Sequence, residues 1–265
     1  MERKSFDWRE FLILWGAGVL GVIAVLPYTL TLQAPLVEQM PPSPVPLAVV
    51  IAVQVIQNAV LVAIAVGLGL LLAMRIGLGA PLLEARLAGK AVSQRLRALL
   101  APSVLAGAAA GLAIIVLDLL VFARAIPAAA LAGEHPPAWQ GLLASFYGGI
   151  TEELFMRLFL MSLLAWLVGL VWREANGRPA AGAFWTANLG AAILFGLGHL
   201  PATAALVPLT GMVVLRAIVL NGIGGVVFGH LYWRRGLGAA MLAHFGADIV
   251  LHVLPPLFLT FMGVS

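Results

Sequence analysis

The sequence contains no cysteine, few charges and no serine in a nucleophile-elbow motif. The absence of cysteine excludes disulfides, a thiolate nucleophile, palmitoylation and a cysteine-ligated metal. Only 10% of the residues are charged and 62% are apolar, whereas ordinary globular domains carry about 25% charged residues. No serine stands in a G-x-S-x-G context, which removes a common signal for serine hydrolases. The composition therefore excludes an ordinary water-soluble domain.

Most of the sequence consists of long apolar runs joined by short polar segments. The mean hydropathy is +1.06, and most runs approach the roughly 20 residues that a helix needs to cross the hydrocarbon core. The pattern predicts an all-α, polytopic transmembrane helix bundle with about eight membrane helices, of which the C-terminal ones are short or re-entrant. The candidate spans are 11–32, 46–75, 101–122, 141–172, 181–200, 205–233, 237–253 and 254–264.

The basic residues are concentrated at alternate joints between the runs. Twelve of the fifteen Lys and Arg residues fall at the N-terminus, in 75–97, at 173–178 and at 234–235. By the positive-inside rule, these joints and the N-terminus face the cytoplasm. Leucines and basic residues alternate at helical spacing near 80–99, which predicts an interfacial amphipathic helix on anionic headgroups. We expect an integral protein of a bacterial or archaeal inner (plasma) membrane, with membrane lipids and no nucleic acid as partners.

A cluster of polar residues in the fourth span points to function, because a charge at mid-bilayer costs about 2.5–3.5 kcal/mol even on a lenient insertion scale. In the run TEELFMR, Glu152 and Glu153 point about 100° apart on a helix, and Arg157 follows Glu153 by four residues. Glu153 is therefore expected to pair with Arg157. Glu152 is left to face a cavity, where it meets a different environment and takes a different role.

Two further helices carry polar residues at helical spacing. Phe195 and His199 share one face of the fifth span, and His244 and Asp248 share one face of the seventh. Each group alone is explained by helix packing, but three helices with such groups favour a common cavity. A glutamate and a histidine can take a proton from water, and further polar groups can hold the oxyanion formed at a carbonyl. The pattern favours peptide hydrolysis.

The order of the motifs EExxxR, FxxxH and HxxxD resembles the CPBP family, also called the CAAX protease and bacteriocin-processing family. The motifs stand here as Glu152-Glu153-Leu-Phe-Met-Arg157, Phe195-Gly-Leu-Gly-His199 and His244-Phe-Gly-Ala-Asp248. The resemblance implies an intramembrane endopeptidase whose catalytic core lies at 141–253, within a single membrane domain over 1–265. Its substrate would be a peptide or lipid-modified protein, as eukaryotic relatives trim prenylated CAAX proteins.

The resemblance also implies roles for individual residues. Glu152 and His199 would activate water, and His244 and Asp248 would stabilise the oxyanion, with Glu153, Arg157 and Phe195 in support. Prenyl-protein endopeptidases carry Asn where this chain has Asp248. An ionised Asp248 would repel an oxyanion, so it is protonated, or orients His244, or helps to bind a metal.

No cofactor is expected, because the chain has no HExxH helix. Zinc is the alternative, with Glu152, His199, His244 and Asp248 as its ligands. Two other functions stay open. One is a non-catalytic bacteriocin-immunity or membrane scaffold protein, in which the polar residues only hold helices together. The other is a proton-coupled transporter, although the halves of the chain show no internal symmetry.

Overall fold

The computed structural model describes residues 5–38, 44–124, 126 and 136–263, and these residues are almost entirely helical. Within those ranges no β-strand is present beyond an isolated bridge between Arg173 and Pro179. The prediction of an all-α membrane bundle is confirmed. The helices, numbered in chain order, are α1 (Trp8–Glu38, interrupted at Val25), α2 (Leu47–Ile76), α3 (Pro81–Leu87), α4 (Ser93–Phe122), α5 (138–168), α6 (Ala181–Leu206), α7 (Gly211–Arg235) and α8 (Leu237–Phe261).

Six of the described helices are long and apolar enough to cross a membrane. The two that do not qualify are α3, which is short, and α5, whose length is sufficient but which carries the Glu152, Glu153 and Arg157 cluster. The predicted count of about eight membrane helices is not confirmed. Many large apolar side chains on the outer faces remain exposed, and these face the lipid of an integral membrane protein.

The interfacial helix predicted near 80–99 is wrong as a single element. α3 ends at Leu87, and α4 begins at Ser93. Gly89 between them has a φ of +73°, a left-handed conformation that ends the helix and that glycine adopts without steric cost. The basic and leucine residues of 80–99 are therefore divided between a short helix and the first turns of a spanning helix.

The two short C-terminal helices predicted at 237–253 and 254–264 are likewise wrong, because α8 runs without a break from Leu237 to Phe261. The prolines at 255 and 256 lie where the two predicted helices meet, and proline within a helix ordinarily ends or bends it. A π-helical stretch, Ile249–Val253, precedes them, and both prolines fall in the first turn of the segment that follows. At that position a missing N–H group is tolerated, so the helix continues.

Small residues bring α8 close to α4. A Cβ atom added to Gly107 would collide with the carbonyl oxygen of Ala243, and one added to Gly111 would lie 3.0 Å from that of Ala247. Such close contacts between small residues are the usual means of packing helices in a membrane. Since Ala243 and Ala247 directly precede His244 and Asp248, the packing of α8 on α4 sets the position of the third motif.

Candidate active site

The polar cluster of α5 lies on an unusual stretch of helix. Two π-helical segments, Tyr147–Glu152 and Leu154–Met161, flank Glu153. π-Helical turns are rare and recur at functional sites because the wider turn redirects side chains. Glu153 is fully buried, whereas the side chain of Glu152 is 21% exposed. The two glutamates therefore occupy different environments, as their spacing predicts.

Glu153 lies at the centre of a buried charge network. Its Oε1 is 3.0 Å from a guanidinium nitrogen of Arg157 and accepts a 2.7 Å hydrogen bond from Nδ1 of His244. Arg157 also donates to the carbonyl oxygen of Gly225 at 3.1 Å. Removing one member of such a buried set leaves an uncompensated charge, so the members depend on one another. The predicted pair of Glu153 and Arg157 is present, and His244 of α8 joins it.

His244 joins this network to a cavity. Its ring stacks on Phe228 with centroids 4.5 Å apart. Its Nε2 lies 3.6 Å from a carboxylate oxygen of Glu152 and 3.6 Å from one of Asp248. A Cβ atom at Gly148 would collide with the carboxylate of Asp248 and lie 3.1 Å from Nε2 of His244. Only glycine at this position allows α5 and α8 to approach closely enough for these contacts.

His199 lies at the break in α6, between Gly198 and Leu200. Its Nδ1 is 2.8 Å from the backbone carbonyl oxygen of Phe195. A carbonyl oxygen can only accept, so Nδ1 carries the hydrogen, and Nε2 of the neutral ring keeps a lone pair. Phe195 makes edge contacts with both histidine rings, at 4.7 Å from His199 and 5.8 Å from His244.

One cavity of about 320 Å³ brings these side chains together. Its lining includes Glu152, His199, His244 and Asp248, which come from α5, α6 and α8. Glu152 pairs with His244, and the described residues show no direct ion pair between Glu152 and His199. The same part of the chain contains no group of three His, Asp or Glu residues placed to hold a metal ion.

The comparison with protein families matches the region that forms this cavity. A model described as type II CAAX prenyl endopeptidase Rce1-like matches residues 134–250. This match covers less than half of the chain, and the matched segment is similar to the Rce1-like family. No curated protein and no solved structure gives a significant match to the chain. The family match confirms the resemblance seen in the three motifs, and the family is one of CAAX-type proteases. It supports a peptide hydrolase built as an integral membrane protein.

The Rce1-like segment overlaps the predicted core at 141–253, but the division of the chain into domains remains a prediction. The N-terminal helices also contribute to the cavity. Tyr28 and Thr29 of α1 line it, although they precede the matched segment. No sequence signal connects Tyr28 with the site, because a tyrosine in an apolar span is ordinary in membrane proteins.

His252 is a polar residue of the cavity that sequence analysis did not connect with the site. Its Nε2 is 4.0 Å from Asp248, and its Nδ1 is 3.3 Å from the hydroxyl of Tyr28. The signal was present in the sequence, since His252 follows Asp248 by four residues and extends the HxxxD motif to HxxxDxxxH.

Proposed function

We propose that this protein is an intramembrane endopeptidase that hydrolyses a peptide bond of a membrane-associated or lipid-anchored peptide or protein. The observation that carries the proposal is the shared cavity, about 320 Å³ in volume and lined by Glu152, His199, His244 and Asp248. Three helices each place a costly polar group in the same space, which is the arrangement expected of a functional site within a membrane. The Rce1-like match adds the class of reaction.

In this proposal, Glu152 and His199 activate water. Both side chains line the same cavity, and the proposed water molecule lies between the carboxylate of Glu152 and Nε2 of His199. The free lone pair on Nε2, secured by the Nδ1 contact to Phe195, suits a proton acceptor. The water oxygen attacks the carbonyl carbon as its proton moves to the acid–base pair. That proton is then delivered to the leaving amine, so water is added across the peptide bond.

His244 is proposed to stabilise the oxyanion. Its Nδ1–H is committed to Glu153 at 2.7 Å, so Nε2 carries a hydrogen only in the imidazolium form. The negative charge of Glu153 lies between that imidazolium and the guanidinium of Arg157, so the three groups together keep a positive charge beside the cavity. A preorganised donor of this kind, in a site that excludes most water, stabilises developing negative charge without reorganising during the reaction.

Asp248 is proposed to act in its protonated form as a second donor. Sequence reasoning left open that Asp248 orients His244, but Glu153 occupies the orienting nitrogen. Asp248 lies beside Nε2 on the cavity side, 3.6 Å away. A neutral carboxyl there donates a hydrogen bond to the oxyanion, as the Asn of prenyl-protein endopeptidases would.

We propose a reaction without a metal, and zinc held by the four cavity residues is the alternative. Incubation with a chelator, followed by dialysis, should leave the cleavage rate unchanged. Loss of cleavage that zinc restores would overturn the metal-free reaction while leaving the peptidase proposal intact. We also propose that the N-terminus lies in the cytoplasm of a bacterial or archaeal cell, because the basic joints lie on the same side as the N-terminus.

The central test uses purified protein in proteoliposomes and a library of fluorogenic peptides, with and without a lipid anchor. Glu152→Gln and His199→Ala should each lower the cleavage rate by about 10²-fold or more, since general acid–base catalysis contributes about 10²–10⁴. Glu174→Gln is the matched control, because this exposed glutamate lies in the 173–179 turn. Cleavage that survives either cavity substitution, at an unchanged melting temperature, would refute the assignment.

A further inference from the structure

A second cavity lies at the helix ends that carry many of the basic residues. Its volume is about 440 Å³, within the roughly 300–1,000 Å³ of small-molecule sites. It forms between the start of α3, the first turns of α4 and the last residue of α7. It is lined by Pro81, Leu82, Arg95, Ala98, Leu99 and Arg235. None of these residues lines the cavity of Glu152.

The walls of this cavity are held by backbone contacts. The N–H of Leu237 donates to the carbonyl oxygen of Gly79 at 3.0 Å, which fixes the α7–α8 turn against the segment before α3. Gly236 has a φ of +89°, and a Cβ atom there would collide with the ring of Pro81. The position of Arg235 relative to α3 is therefore set by the fold and does not depend on an occupant.

The polar part of the lining is cationic. Arg95 and Arg235 are both exposed, and within the described part of the chain neither forms an ion pair. The lining contains no carboxylate. The guanidinium group presents a planar set of donors that matches phosphate and carboxylate oxygens. An anion is therefore the complementary occupant for this end of the cavity.

The remaining lining is apolar and continues into the membrane. Leu99 follows Arg95 by one turn of α4, the helix that enters the hydrocarbon region from Ser93. Ala98 and Leu82 extend the same apolar surface. A soluble anion would gain nothing from these side chains. A molecule with an anionic group at one end and a hydrocarbon chain at the other contacts both parts.

We propose that this cavity binds the headgroup of an acidic phospholipid, with Arg95 and Arg235 contacting the phosphate and Leu99 contacting the acyl chain. Basic pockets between helices on the cytoplasmic side of a membrane bind such headgroups. The site is distinct from the proposed active site, and the proposal does not depend on peptidase activity.

The test begins with the wild-type protein in detergent, incubated with phosphatidylglycerol or with phosphatidylcholine of identical chains. Native mass spectrometry measures the lipid retained by each protein. Wild-type protein should retain phosphatidylglycerol more strongly. Arg95→Gln and Arg235→Gln should each weaken that retention by about fivefold, from the contribution of one basic residue near an anionic group. Arg95→Lys combined with Arg235→Lys should keep most of it.

Arg97→Gln is the matched control, because Arg97 is exposed on the same helix and does not line the cavity. An equal loss in this control would replace the proposed site by a diffuse basic surface. Displacement of the lipid by inorganic phosphate would indicate a simple anion site and overturn the proposal. Equal retention of the two lipids by wild-type protein would also overturn it, whether or not the variants fold.

Discussion

Two arginine–carboxylate pairs, Glu153 with Arg157 and Asp118 with Arg216, lie in described parts of the membrane helices, and they differ in what surrounds them. Glu153 and Arg157 are one turn apart on α5 and are buried, with 0% and 1% exposure. Asp118 of α4 and Arg216 of α7 meet in two contacts of 2.6 and 2.7 Å, and the side chains are 30% and 28% exposed. The first pair continues to a third side chain, the imidazole of His244. The second has no further ion-pair partner among the described residues.

The comparison teaches how to interpret an intramembrane charge. The second pair joins two helices, and both members are satisfied by each other. In the first pair, the same carboxylate oxygen that faces Arg157 also receives the Nδ1–H of His244. Glu153 is thereby connected to the cavity through the imidazole of His244, which lines it. A pair with such an extension is a stronger indication of chemistry than a pair alone.

Replacing the arginine of each pair should give the largest difference between the buried and the exposed pair. Arg157→Met removes one member of the buried set of Glu153, Arg157 and His244 and its bond to Gly225, so the free energy of unfolding should fall by about 3–5 kcal/mol. Arg216→Met should lower it by about 1 kcal/mol or less, since its partner is partly exposed. Denaturant unfolding in the same detergent measures both changes. Equal losses would show that burial does not distinguish the pairs.

Glu153→Gln and Asp118→Asn form the corresponding carboxylate test. Glu153→Gln keeps the shape of the side chain but removes the charge that orients and balances His244. Peptide cleavage should fall at least about tenfold, since an oriented carboxylate partner of a catalytic histidine is worth up to about 10⁴. The rate for Asp118→Asn should stay within about twofold of wild type, because its carboxylate contacts Arg216 and does not line the cavity. A large loss of cleavage in Asp118→Asn would show that the exposed pair also contributes to activity.

His252 provides a smaller test, because it touches the network only at its edge. His252→Gln removes a ring whose nearest carboxylate contact is 4.0 Å. The cleavage rate should fall by up to about tenfold, the equivalent of one modest hydrogen bond. His230→Gln is the control, since that ring stacks on Trp185 outside the cavity. If His230→Gln lowers the rate as much, His252 acts only through packing.

The smallest effect is expected when both members of the exposed pair are replaced together. Asp118→Leu combined with Arg216→Met removes both charges and fills their space, an exchange that is often neutral or stabilising. The melting temperature should change less than in either single variant, and cleavage should stay within about twofold of wild type. A double variant worse than both singles would give the pair a role beyond joining α4 to α7.

The sequence predicted the membrane fold and the residues of the three motifs because both depend on local spacing. Apolar runs indicated the helices, and the spacing of Glu153 and Arg157 predicted their pair.

The contacts that sequence analysis missed lie between distant parts of the chain. The hydrogen bond from His244 to Glu153 joins residues 91 positions apart. The contact between Tyr28 and His252 joins residues 224 positions apart. Helical periodicity carries no information about such pairs. The π-helical turns of α5 were missed for a similar reason, because their wider spacing departs from the 3.6-residue period used to read the sequence.

The close packing of α8 on Gly107 and Gly111 of α4 limits which wall of the cavity could move to admit a substrate. At Gly107 and Gly111 there is no room for α8 to slide or turn, so the part of the wall that bears His244 and Asp248 behaves as a fixed frame. The C-terminal half of α1, Leu26–Glu38, contributes Tyr28 and Leu32 to the same cavity yet has no buried residue. A wall of the cavity that moves to admit a molecule would therefore be formed by α1, while His244 and Asp248 keep their positions on α8.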